Sequence, residues 1–110
     1  MSVRFLQLDA VILDTEATSE GIEINGALLV AVSTDAAYDG TSLQVQASAD
    51  GVTFQDLYDD DGNLVTIVTD ADRWTRVLPQ EFAGLDWIRF VSDAAQSGAD
   101  TTLGLKIRSD

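Results

Sequence analysis

The chain has 110 residues and a mass of 11.8 kDa, enough for one domain, and its 45% hydrophobic and 23% charged content suits a packed core. Nineteen acidic side chains, fifteen of them Asp, stand against only 6 basic ones, so the net charge is −13, and there is no His and no Cys. This composition excludes a conventional Ser–His or Cys nucleophile, any disulfide and any thiolate or imidazole metal site, and it opposes binding to the phosphates of nucleic acid.

Apolar and polar residues alternate along most of the chain, whereas the i, i+3, i+4, i+7 spacing of an amphipathic helix is never sustained. Strands are predicted over residues 3–12 and 27–33, with a short one over 21–24. Gln7 and Asp9 interrupt the first, so it holds no apolar run of signal-peptide length, and the longest aliphatic run, residues 27–32, is far too short to span a membrane. A soluble protein made without Sec export, with no membrane partner, is expected. Over residues 42–49, Leu43, Val45 and Ala47 share one face, with Gln44, Gln46 and Ser48 on the other. Asp50-Gly51 then supplies the positive φ of a tight hairpin, and a return strand over 52–55 is expected to turn Val52 and Phe54 inward.

A second acidic turn at 59–63 leads into a strand over 64–69, followed by strands over 74–78, 86–92 and 102–108. In the last, Leu103, Leu105 and Ile107 point inward and Thr102, Gly104, Lys106 and Arg108 outward. Pro79 ends the 74–78 strand, and residues 79–84 read as one helical turn that tucks Phe82 under the sheets. Eight or nine short strands separated by Asp, Gly, Ser and Thr turns give the expected fold class. It is an all-β, antiparallel β-sandwich or jelly roll, a single domain over residues 1–110 with no linker or internal repeat.

Several residues are candidates for function. Alternation places Trp87 and Arg89 on the face opposite Ile88 and Phe90, and Trp74 and Arg76 share a face in the same way. An outward Trp beside an Arg is the composition of an interface anchor, so the two pairs are expected to form one capsid- or self-association surface; the competing reading has Trp87 covered by a loop of its own chain. Tyr38 and Tyr58, next to turns, are candidate glycan-stacking platforms, the competing reading being that they close one end of the sandwich. The run Asp59-Asp60-Asp61-Gly62-Asn63 offers oxygen ligands, but an EF-hand loop needs an acid where Leu57 stands and a Glu where Val68 stands. It reads as a solvated hairpin tip without a metal, Asp59 and Asp61 being the residues a cation would use. Acids are so abundant that no pair of them singles out a glycosidase site, and the chain is read as a protein without catalytic residues or cofactor.

Charge is unevenly distributed along the chain. Residues 1–70 hold 13 acids against Arg4 alone, a net −12, while residues 71–110 hold 6 acids against 5 basic residues, a net −1. An acidic side for solvent and a Trp/Arg side for a partner are therefore expected. An Asp-rich, Lys-poor surface also suits high salt, so a stand-alone domain of a salt-adapted organism is a further reading.

Residues 43–58, with the Ser48-Ala49-Asp50-Gly51 turn and the aromatic segment after it, then Asp60-Asp61-Gly62, resemble small virion proteins of tailed bacteriophages. Residues 78–92, with Phe82-Ala83-Gly84 and Trp87-Ile88-Arg89-Phe90, are similar to a second block of the same proteins, and the two blocks span about half the chain. The Ser-x-Asp-Gly and Trp-Ile-Arg-Phe elements are also similar to discoidin-like, galactose-binding-type jelly rolls at the level of fold. The resemblance implies a noncatalytic auxiliary virion protein, of the capsid decoration, cement or head-fibre-base type. Such a protein is assembled in the host cytoplasm and binds the major capsid protein on the capsid exterior, as a homo-oligomer for which a trimer is one form. The rival implied function is a carbohydrate-binding module of a phage tail or fibre.

Overall fold

A strand whose alternate residues are apolar can bury them only against a second apolar surface, so strands of this kind pair into two sheets with their apolar sides facing. A computed structural model, which describes residues 4–109, shows that arrangement. The strands are β1 (Arg4–Ile12), β2 (Ile22–Glu23), β3 (Leu28–Thr34), β4 (Ser42–Ser48), β5 (Gln55–Asp56), β6 (Thr66–Val68), β7 (Arg73–Arg76), β8 (Trp87–Ser92) and β9 (Thr101–Ser109). Val3, the expected start of the first strand, lies outside the described residues. One sheet has the order β1-β9-β3-β7 and the other β2-β8-β4-β5, with β6 sharing the β4 edge beside β5. All strand pairs are antiparallel, and the chain passes repeatedly from one sheet to the other, which is the jelly-roll wrapping. The expected all-β sandwich is thus the fold of the protein. The only helical turn among the described residues is a 3₁₀ turn at Pro79–Phe82, which places Phe82 in the core, and no helix is long and apolar enough to cross a membrane.

The core lies between the sheets. Ala10, Ile12, Leu29, Val32, Leu103, Leu105 and Ile107 come from one side, and Ile22, Leu43, Val45, Ile67, Ile88 and Phe90 from the other. Burying each Val, Leu, Ile or Phe side chain contributes about 1.5–3 kcal/mol, and with no disulfide this packing must supply the stability. Register follows alternation closely in β4 and β8, where Val45 sits opposite Phe90 and Ala47 opposite Ile88.

The return strand departs from expectation. The Ser48 hydroxyl accepts the N–H groups of Asp50 and Gly51, and one Asp50 carboxylate oxygen accepts those of Val52 and Thr53 at 2.9 and 3.0 Å. Those four N–H groups are taken by side chains, so residues 49–54 form a loop and only Gln55 and Asp56 pair with β4. Val52 is consequently exposed, and Phe54 lies on the outer face of the β2-β8-β4 sheet instead of in the core.

Carboxylates fasten the other loops in the same manner. Asp93 accepts the N–H groups of Thr41 and Ser42 at 2.7 and 3.1 Å, as well as the Thr41 hydroxyl. Asp35, at the end of β3, accepts the Thr101 hydroxyl and the N–H groups of Thr102 and Ala37, tying β3 to the start of β9. Asp39 accepts Ser97 N–H, while Asp14 N–H donates to Asp100 and Asp14 in turn accepts Gly98 N–H. Gln96, nearly fully buried, bridges two loops by donating to Ala37 O and accepting from Asp39 N–H. Among the described residues no buried side-chain nitrogen or oxygen lacks a partner.

These bonds favour the charged carboxylate. The Thr41 hydroxyl and N–H, with Ser42 N–H, hold the Asp93 carboxyl below its ordinary value against the opposing effect of burial. Burial alone would raise Asp35, but hydrogen bonds from Thr101, Thr102 and Ala37 outweigh it and the net shift is downward. A carboxyl lowered in the native state stabilises the fold fully above its unfolded value, here near 3.8, and loses that contribution as pH falls through it toward the native value. Urea melts at stepped pH are expected to show stability falling on this acid limb, with a shallower slope in Asp93→Asn and Asp35→Asn than in wild type. An unchanged slope in both variants would remove these two groups as its source.

Candidate interaction surface

Pairing decides what each outer face carries. In β7, Thr75 lies opposite the buried Val32 and therefore points inward, so Trp74, opposite Ser33, and Arg76, opposite Ala31, point outward. In the same sheet β9 lies between β1 and β3, so Lys106 stands between Gln7 and Ala31, and Arg108 between Phe5 and Leu28. The outer face of β1-β9-β3-β7 therefore holds Arg76, Lys106 and Arg108 against a single acid, Asp9, in a protein of net charge −13. Trp74 is 53% exposed on it, and Phe5 61%. Glycine 104, beside Ser33, keeps the middle of the face flat: a Cβ there would come to 2.3 Å from the Ser33 hydroxyl. An exposed Trp beside exposed cations is the composition of an interface anchor. The sequence shows that Trp74, Arg76 and Lys106 point outward, but Phe5 and Lys106 join the Trp74 face only because β9 inserts between β1 and β3.

Trp87 and Arg89 lie on the outer face of the other sheet, so the two Trp–Arg pairs occupy opposite sides of the sandwich and do not form one surface. Nor is the Trp87 side bare. The Arg89 guanidinium lies 4.4 Å from the centre of the Phe54 ring, and its Nε donates to Gln46 Oε1 at 2.6 Å. Gln46 Nε2 in turn donates to Asp56 at 2.9 Å. The Trp87 indole lies against Gly51, where a Cβ would approach within 2.7 Å of the ring, and a Cβ at Gly21 would lie 2.7 Å from Phe54. Gly51, at φ +79°, both permits the loop turn and leaves room for the indole. The loop at residues 49–54, displaced from pairing by Asp50, is what folds over Trp87.

Tyr38 is 3% exposed, which removes it from any role in stacking on a glycan. Its hydroxyl donates to Ser42 O at 2.7 Å and accepts from the Ser92 hydroxyl at 3.2 Å, closing one end of the sandwich. Burial, aided by the Asp93 and Asp70 charges, raises this phenol above its ordinary value against the lowering effect of the Ser92 bond. Tyr58, by contrast, is 57% exposed and borders a recess of about 530 Å³ with Asp59, Asp60, Asp61, Leu78, Gln80 and Glu81. The carboxylates of Asp59, Asp60 and Asp61 lie within 4.8 Å of one another, so each offers an oxygen to a hard cation. One Asp59 oxygen, however, already accepts the N–H groups of Asp61 and Asn63, both at 2.9 Å, which is the hydrogen bonding of a turn.

The class defined by fold and surface is an antiparallel jelly-roll sandwich with one cationic, Trp-bearing outer face. No protein-family model matches the chain, and no curated protein matches it in sequence. Among solved structures it is similar to the SPBc2 prophage-derived protein YomS, with a TM-score of 0.65 and 12% identity over 99% of this chain and 96% of that one. That match extends the fold likeness over the whole described sandwich. Two further matches are a chain from the disulfide-linked pili of Bacillus endospore appendages (TM-score 0.48, 10% identity, 97% and 87% coverage) and a CBM32 module of a family 31 glycoside hydrolase from Clostridium perfringens (0.39, 14%, 92% and 75%).

The two tryptophans are expected to separate by experiment. Trp87→Ala should cost about 2–4 kcal/mol in urea unfolding, because it opens a packed cluster, whereas Trp74→Ala should change stability by no more than about 0.5 kcal/mol. Fluorescence of the folded single-Trp variants should show a blue-shifted Trp87 in Trp74→Phe and a water-like, red-shifted Trp74 in Trp87→Phe.

Proposed function

We propose that the protein is a noncatalytic structural component of a phage-type virion, docking on the exterior of the capsid and stabilising the particle. The observation that carries this reading is the outer face of β1-β9-β3-β7, with Trp74 exposed and Arg76 and Lys106 beside it, on a chain whose net charge is otherwise strongly negative. A face of that kind gains affinity from an exposed aromatic anchor and orientation from its cations, while the acidic remainder stays in water. The match to a prophage-derived protein supports the phage setting, and the resemblance of residues 43–92 to auxiliary virion proteins supports the capsid. Stabilisation by binding needs only contact area on the assembled shell and no reaction.

In gradient-purified particles the protein should be present in stoichiometric amount, and particles lacking it should lose DNA at a lower temperature than wild type. Adding back wild-type protein should restore heat stability, and Trp74→Ala or Arg76→Glu should restore it poorly. Absence of the protein from purified particles would overturn the reading.

A second reading, carbohydrate binding, is favoured by one observation, the exposed ring of Tyr58 over its polar recess. It predicts a glycan-array signal that Tyr58→Ala abolishes and that Trp74→Ala leaves unchanged.

A further inference from the structure

The edge of the β1-β9-β3-β7 sheet carries a separate surface. β1 is a nine-residue edge strand, and its C-terminal part is already covered: Val11 accepts the N–H of Glu20 at 3.3 Å and donates to the Glu20 carboxylate at 3.4 Å. Val11 thus directs its peptide groups away from β9. By the alternation of an antiparallel ladder, Phe5, Gln7 and Asp9 direct theirs to the same open edge, where no described residue meets them. That stretch carries an exposed apolar side chain on each face. Phe5 is 61% exposed on the outer face, and Leu6, 49% exposed on the inner, lines a recess of about 640 Å³ with Leu8, Ile24, Ala27 and Ile107. Beyond Arg4 the strand holds no charge before Asp9, no Pro and no bulge, the features that keep sheet edges apart.

We propose that this edge binds a second copy of the chain, β1 pairing antiparallel with its counterpart about a two-fold axis at Gln7. The register argues for this occupant. Centred on Gln7, the pairing sets Leu6 opposite Leu8 of the second copy on the inner face, so the rows Ile107-Leu6 and Leu8-Leu105 become continuous across the seam. On the outer face it sets Asp9 of each copy opposite Phe5 of the other, in the row that carries Arg108, so unlike charges share a row. The two Asp9 carboxylates are separated by four strand positions, about 14 Å, and the two Lys106 side chains by three strand spacings, also about 14 Å, beyond the screening length of about 10 Å at 0.1 M salt. Moving the centre to Leu8 would set Phe5 opposite Val11, whose peptide groups Glu20 already takes, and moving it to Leu6 would set Arg4 opposite Leu8 on the inner face. The contact is isologous and closes on itself, giving a dimer and no fibre. It goes beyond the capsid reading, leaves the Trp74 face open and stands whether or not a capsid is the partner.

The natural chain has no Cys, which makes the register directly testable. In the dimer the Gln7 Cα atoms face each other at about 5.5 Å, within disulfide range, whereas the Asp9 Cα atoms do not approach. Gln7→Cys should form a covalent dimer under mild oxidation and Asp9→Cys should remain monomeric. Sedimentation equilibrium of the wild type should give a dimer, and Phe5→Asp, which sets two carboxylates opposite each other, should raise its dissociation constant at least tenfold with the circular dichroism spectrum unchanged. A wild type that stays monomeric up to about 1 mM, an assembly other than a dimer, or Asp9→Cys crosslinking as readily as Gln7→Cys would each overturn the proposal.

Discussion

The structure depends on one contact surface, the dry layer where Leu43, Val45, Ile88 and Phe90 of one sheet meet Val32, Leu103, Leu105 and Ile107 of the other. Without a disulfide, this layer is what offsets the conformational entropy of ordering about a hundred residues. It also dictates everything on the outside. Once alternate residues of β3, β8 and β9 are committed to the core, their neighbours have only one place to go, and the composition of each outer face follows from strand order.

The same core leaves a second requirement. A sandwich of short strands has many turns, and their N–H groups need acceptors wherever strand pairing does not provide them. Asp residues meet that need at the ends of β3, β4 and β8: Asp35, Asp50 and Asp93 each gather several N–H or hydroxyl groups. The excess of Asp over Glu is explained in part by this, since the shorter side chain reaches the backbone N–H two or three residues on. The net charge of −13 is therefore not only a solvated coat. Part of it is structural hydrogen bonding, and the charge that remains throws the cationic face of β1-β9-β3-β7 into contrast.

One local conflict shows how turn chemistry, core and surface interact. Asp50 and Ser48 capture the N–H groups that a tight hairpin would have used, so the chain leaves the sheet and returns over its outer face. Phe54 then stacks under Arg89, Gly51 admits the Trp87 indole, and a face that would have been an open Trp–Arg surface becomes a closed one. Among the described residues no loop covers Trp74 in the same way. Trp74 and Arg76 remain at the surface, and the asymmetry between the two sides of the sandwich comes from the loop rather than from the strands.

Strand identity was legible in the sequence wherever one face is buried and the other wet. Alternation in residues 42–49, 86–92 and 102–108 is read directly, and Pro79 with Phe82 marks the turn that seals the core, because period and side-chain type are local properties. The outward direction of Trp74, Arg76, Trp87 and Arg89 was legible for the same reason. Three things were not. Whether an outward residue is exposed, as Trp74 is, or covered, as Trp87 is, depends on where a loop distant along the chain comes to rest. The burial of Tyr38 depends on Ser92 meeting it from β8, more than fifty residues away. The assembly of Phe5, Lys106 and Trp74 on one face requires β9 to lie between β1 and β3, nearly the full length of the chain from its neighbour. The sequence by itself determined that this is an acidic, Cys-free, His-free sandwich and which residues of each strand point inward, since both are written in composition and in a two-residue period. Only the tertiary structure decided which outward faces stay open and what shares them, because strand order and loop placement are set by long-range pairing that no local pattern encodes.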